Sequence, residues 1–130
     1  MLRLRRLWMA CGWAAVILVI YLSLTPEPLS APTIEEVKSG HLVAYGWLMW
    51  WFAQLVQGRR NRIKVATLLA LMGIGLEYAQ GLTDYRTFAY TDMRDNTLGV
   101  AVGWLVAMTP AGRVLAWLDG AWTRTRPPRS

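Results

Sequence analysis

Residues 7–24, LWMACGWAAVILVIYLSL, run for 18 residues without a charge. As an α-helix at about 1.5 Å per residue they cover about 27 Å, close to the roughly 30 Å hydrocarbon thickness of a bilayer. Three further runs follow: Leu42–Gln57, Val65–Leu82, broken only by Glu77, and Thr97–Gly112. Together the four make up about half of the 130 residues, and the connections between them are too short for a second domain. With 55% hydrophobic residues, 8 Trp and only 17% charged residues, the composition is too apolar for a small soluble domain. The sequence therefore predicts an all-α integral membrane four-helix bundle with four transmembrane spans. It forms a single domain over 1–130, with spans at about 7–24, 40–57, 65–82 and 96–112 and a basic cytoplasmic tail at 119–130.

The net charge of +6 is read by location. Arg3, Arg5 and Arg6 precede the first run. Arg59, Arg60, Arg62 and Lys64 separate the second from the third, and Arg113, Arg124, Arg126 and Arg129 follow the fourth. The other two connections hold Lys38, Arg86 and Arg94. The positive-inside rule then predicts cytoplasmic N and C termini, with residues 25–40 and 83–95 outside. The basic charge marks orientation and anionic-lipid contact rather than a nucleic-acid face. In a bacterium the location is the inner (cytoplasmic) membrane, multi-pass.

The first run has a basic start but an exit, Leu22-Ser23-Leu24-Thr25-Pro26, without a signal-peptidase pattern, so it reads as an uncleaved anchor. One Cys and one His supply neither a disulfide framework nor a metal cluster; no cofactor or metal is expected, and Cys11 reads as a small packing residue. Thr33-Ile34-Glu35-Glu36 fits a capping box, so a helix is predicted from near Ile34 through Gln57. Residues 58–64 read as a short basic turn, Trp50 and Trp51 as inner-interface aromatics, and 123–130 as an unstructured, lipid-touching tail. The fourth span ends at Pro110 and Gly112 or continues to Trp117 and Leu118; the sequence leaves both open.

Counting along each predicted helix gathers the polar residues at the outer end. Lys38, His41 and Tyr45 share a face of the second helix. Glu77 lies about 18 Å from the start of the third span, and Gln80 shares its face. The next connection adds Asp84, Arg86, Asp92, Arg94 and Asp95, and Asn96 opens the fourth span. Gly99 and Gly103 are in line with Asn96, and Gly73 and Gly81 flank Glu77, so backbones can approach closely there. A carboxylate within a span costs about 2.5–3.5 kcal/mol at mid-bilayer and requires a partner. Arg86 is the expected partner of Glu77. Two readings of the cluster stay open: a network that locks helices together, and a binding or catalytic pocket facing the outer leaflet.

Lys38-x-x-His41-x-x-x-Tyr45, Glu77-x-x-Gln80, and Arg86 followed by Asp92-x-x-x-Asn96-x-x-Gly99-x-x-x-Gly103 resemble the VanZ-like family of small integral membrane proteins, over about 26–103. Val37 departs from the Asp that often precedes the Lys. The resemblance implies a four-helix membrane domain and a family named for a teicoplanin-resistance protein, but no known reaction. Three functions follow as expectations. The first is binding of an anionic lipid or cell-envelope precursor head group through Lys38, Tyr45, Gln80, Arg86, Asp95 and Asn96, linked to glycopeptide susceptibility. The second is a structural or regulatory role beside another membrane protein, as a homo- or hetero-oligomer. The third is an enzyme acting on an envelope lipid, with His41, Glu77 and Asp92 as acid/base groups.

Overall fold

The computed structural model describes residues 2–26, 34–85 and 88–125, with the backbone alone at 34–39. The order is α1 (Arg5–Leu24), α2 (Ile34–Leu55), α3 (Arg59–Gly81), α4 (Tyr90–Ala107), a 3-10 turn (Pro110–Arg113) and α5 (Val114–Arg124). No strand occurs among the described residues. The all-α expectation holds, with a fifth helix added.

α2 is the centre of the bundle, touching α1, α3, α4 and the 3-10 turn, and its pairing with α4 is the most extensive. Glycine sets that pairing. A Cβ at Gly99 would run into the Leu42 carbonyl oxygen, and one at Gly103 into the Gly46 carbonyl oxygen. With hydrogen in place of methyl, the two backbones lie in contact, which supplies the van der Waals packing that holds helices together in lipid. The apolar core is built around the same helix: Tyr45, Leu48, Met49 and Ala53 are almost wholly buried and are joined by Leu69, Val100 and Leu115 from its neighbours.

The outside is apolar as well. α1 exposes Trp13, Ile17, Leu18, Tyr21 and Leu22, and buries only Gly12 and Val16. A soluble protein does not present such a continuous patch to water, whereas in a bilayer it is the lipid-facing surface. Cys11 lies on the exposed surface, not in the packing role that its size suggested. By length and apolarity α1 and α3 qualify as membrane spans, and α4 with α5 counts as a third, bent by 78°. The predicted four spans are thus met by two or three helices on this criterion. α2 falls short because its first half carries Lys38, Ser39, Gly40 and His41 and its second half is rich in Trp.

Helix limits differ from the sequence expectations at three places. Arg59–Lys64 is the first part of α3, not a turn; the reversal is made by 56–58, where Gly58 has φ +81°, a left-handed conformation costly for other residues. The fourth run does not continue straight. α4 stops at Ala107, and Thr109 caps the 3-10 turn, with Pro110 inside it, so α5 starts in a new direction. Residues 119–124, predicted as tail, are helical because Asp119 is tied to the start of α1. Trp50 and Trp51 sit at this same basic end, donating to the Ala111 and Trp8 carbonyls at 2.9 and 3.0 Å.

Candidate functional site

The last two turns of α3 bring Glu77 and Gln80 to the end of the bundle opposite Arg59 and Arg60, where they are 1% and 3% exposed. Each serves the end of another helix. Glu77 Oε1 accepts the Ala89 backbone N–H at 2.6 Å, and Ala89 is the residue that starts α4. The carboxylate thereby satisfies an N–H that a helix start leaves without an internal acceptor, and its charge faces the positive pole of the α4 dipole. Gln80 Nε2 donates to the Ser23 carbonyl at 2.6 Å, and the Tyr85 hydroxyl donates to the Leu24 carbonyl at 2.8 Å. Both carbonyls belong to the last turn of α1, which has the reciprocal shortage of donors. Arg86, the partner predicted for Glu77, lies outside the described residues, as does the Lys38 side chain.

Around this pair the remaining polar residues fall into two groups. His41 Nε2 and Asp92 Oδ2 stand 3.9 Å apart, with side chains 14% and 18% exposed, at the rim. Asp92 lies in the first turn of α4, where the dipole favours its charge. Deeper in, Tyr45 and Asn96 both pack against Gly73: a Cβ there would meet Asn96 Cβ and Nδ2 at 3.0 Å and Tyr45 Cε1 at 3.2 Å. Tyr45 Oη and Asn96 Oδ1 are buried and have no hydrogen-bond partner among the described residues. Asp95 does not join this group; its Oδ1 accepts from Nε and Nη2 of the exposed Arg94, each at 3.1 Å.

The four predicted packing glycines have distinct partners. Gly73 admits Asn96 and Tyr45, a Cβ at Gly81 would lie only 3.0 Å from Phe88 Cβ, and Gly99 and Gly103 form the crossing with α2. Gly46, the α2 side of that crossing, was not legible as such because no second α2 glycine repeats at helical spacing on its face. No three His, Cys, Asp or Glu side chains among the described residues are placed to hold a metal.

A family model described as VanZ/LLP1 matches residues 10–113. This chain belongs to the VanZ/LLP1 family. The matched span runs from within α1 to the end of the 3-10 turn, so it includes the whole polar cluster. The VanZ/LLP1 match leaves out the first nine residues and α5, which contact each other through Asp119 and the Arg3 N–H. No curated protein and no solved structure matches closely enough to add a relative. Family membership and the apolar helices together make this VanZ/LLP1 protein a membrane protein.

Proposed function

We propose that the protein binds the anionic head group of an envelope lipid or lipid-linked cell-wall precursor at the end where α2, α3 and α4 meet. In this reading α2 and α4 also cross the membrane, α5 lies along the inner interface, and the basic end is cytoplasmic in a bacterial inner membrane. The observation that carries it is the pair of buried, uncommitted atoms, Tyr45 Oη and Asn96 Oδ1, beside the His41–Asp92 rim. A buried polar atom without a partner costs about 1–3 kcal/mol, and two at one place, below a partly exposed ionisable pair, are what a polar ligand would satisfy. Lys38 and Arg86 are the cations assigned to its phosphate. Glu77 and Gln80, engaged with helix ends, serve as struts. Lipid-linked precursors at the outer face are also where glycopeptides act, so the same site ties the protein to glycopeptide susceptibility.

Tyr45→Phe separates binding from architecture because it removes one oxygen and little volume. Native mass spectrometry of the detergent-purified protein should show a retained lipid in the wild type that is lost in Tyr45→Phe and Arg86→Ala, with folding intact. An architectural role alone predicts the reverse for Tyr45→Phe: unchanged lipid and equal or higher thermal stability, since an unsatisfied hydroxyl has gone. The His41–Asp92 pair supports a second reading, acid–base chemistry on the same head group. It requires turnover of a labelled envelope lipid that is abolished by His41→Ala and Asp92→Asn; no turnover over a lipid panel removes it.

A further inference from the structure

The opposite end of the molecule holds a cavity of about 1000 Å³, formed by the start of α1, the α2–α3 turn, the 3-10 turn and α5. Its charged lining is Arg3, Arg5, Arg113 and Arg124 against one acid, Asp119. That acid is engaged: its two oxygens accept the Arg3 and Leu4 N–H groups at 2.7 and 2.8 Å and the Trp8 indole N–H at 3.0 Å. None of the four guanidinium groups is within ion-pair distance of a carboxylate among the described residues. Gln57, Asn61 and Thr123 add polar groups to the same walls.

The four guanidinium groups are exposed on one concavity, so their positive fields add there and an anion arriving from outside can reach them. Such a wall attracts an anion, and guanidinium forks match a phosphate in shape as well as charge. The apolar surface of α1 and the exposed Trp117 and Trp122 of α5 place the cavity mouth at the level of lipid head groups. We infer that this basic cavity is a second anion site, distinct from the polar cluster, which holds a phosphate group and through it clamps α5 and the 3-10 turn to the start of α1. The phosphate is supplied by an anionic phospholipid or by a soluble phosphate compound. The site joins residues inside the family match, among them Gln57, Asn61 and Arg113, to Arg3, Arg5 and α5 residues that lie beyond it.

The test uses the full chain in phosphatidylcholine nanodiscs, with phosphatidylglycerol substituted stepwise in one arm and inorganic pyrophosphate added in the other. Thermal stability and the lipid retained in native mass spectrometry are read for the wild type, for R5A/R113A and for R60A/K64A. The last removes the same charge from the same end, but from α3 residues that do not line the cavity. Phosphatidylglycerol should stabilise the wild type and R60A/K64A alike, while R5A/R113A binds it roughly tenfold more weakly or worse, the loss of one to two charge-assisted contacts. Stabilisation by pyrophosphate with the same variant pattern, and none by phosphatidylglycerol, assigns the site to a soluble phosphate. Equal losses in both double variants would reduce the effect to general surface charge, and no response to either probe would remove the site. If R5A/R113A does not fold, R5Q/R113Q carries the same comparison.

Discussion

Asp119 has three N–H groups pointed at one carboxylate, two of them backbone groups at the start of α1. Burial alone raises its carboxyl. The Arg3 and Leu4 N–H groups, the Trp8 indole and the Arg3 guanidinium more than offset that, so it titrates below the usual carboxylate range. Asp119→Ala leaves these donors without an acceptor and should cost about 3 kcal/mol, read as a lowered melting temperature in detergent. Because the folded-state value is depressed, the carboxylate's stabilisation is present above the ordinary unfolded value, about pH 4, and is lost as pH falls through the lower folded one. The melting difference between wild type and Asp119→Ala should therefore be constant near neutrality and shrink below about pH 4; a difference that persists unchanged into that range would contradict the assignment. Gln80→Leu makes a related prediction at the other end. Removing the donor to the Ser23 carbonyl should lower stability by about 1–2 kcal/mol and release the last turn of α1, seen as faster amide exchange there.

Between elements, contact is decided by glycine and by helix ends. Gly103→Ala places a methyl against the Gly46 carbonyl, a backbone atom that cannot rotate away, and should cost about 2–3 kcal/mol by forcing α2 and α4 apart. Gly75→Ala is the matched control: nothing lies within 4 Å of its added Cβ, and helix propensity favours the change by about 0.5–1 kcal/mol. Equal melting temperatures for the two variants would show that the crossing is not set by Gly103. Helix ends obey a common logic across the bundle. Glu77 serves the start of α4, Gln80 the end of α1, Asp119 the start of α1, and Gln54 Oε1 accepts the Leu115 N–H in the first turn of α5 at 3.0 Å. In each case the groups that a helix end leaves unpaired are met by a side chain from a neighbouring helix.

At the scale of the whole molecule, polar residues separate into two ends joined by an apolar middle. One end holds His41, Glu77, Gln80, Asp92 and Asn96; the other holds Arg3, Arg5, Arg113, Arg124 and Asp119. The charge distribution predicts their sides of the membrane. In a Cys11→Ser background, a cysteine at Asp84 should react with a membrane-impermeant maleimide in intact cells, and one at Thr125 only after the inner face is opened. Both positions are exposed. The opposite pattern would invert the topology and move the head-group site to the cytoplasmic side.

Composition and periodicity alone determined that the chain is helical and apolar outside, that its basic residues gather at one end, and that Glu77, Gln80 and Asn96 belong to the other. These are local properties: an uncharged run of 18 residues is legible without knowing its neighbours, and so is a polar residue's depth along a helix. Asp119 was also findable, being the sole acid after Arg113. What it binds was not, because Arg3 lies 116 residues away. The same holds for Gln80 and Ser23, 57 apart, and for Gly46 facing Gly103. Only the tertiary structure decided these partners, together with the bend after Ala107 and the helical state of α5. A hydrogen bond that caps a helix end depends on which end the packing brings within 3 Å, and that is a property of how helices cross, which no spacing within one helix encodes.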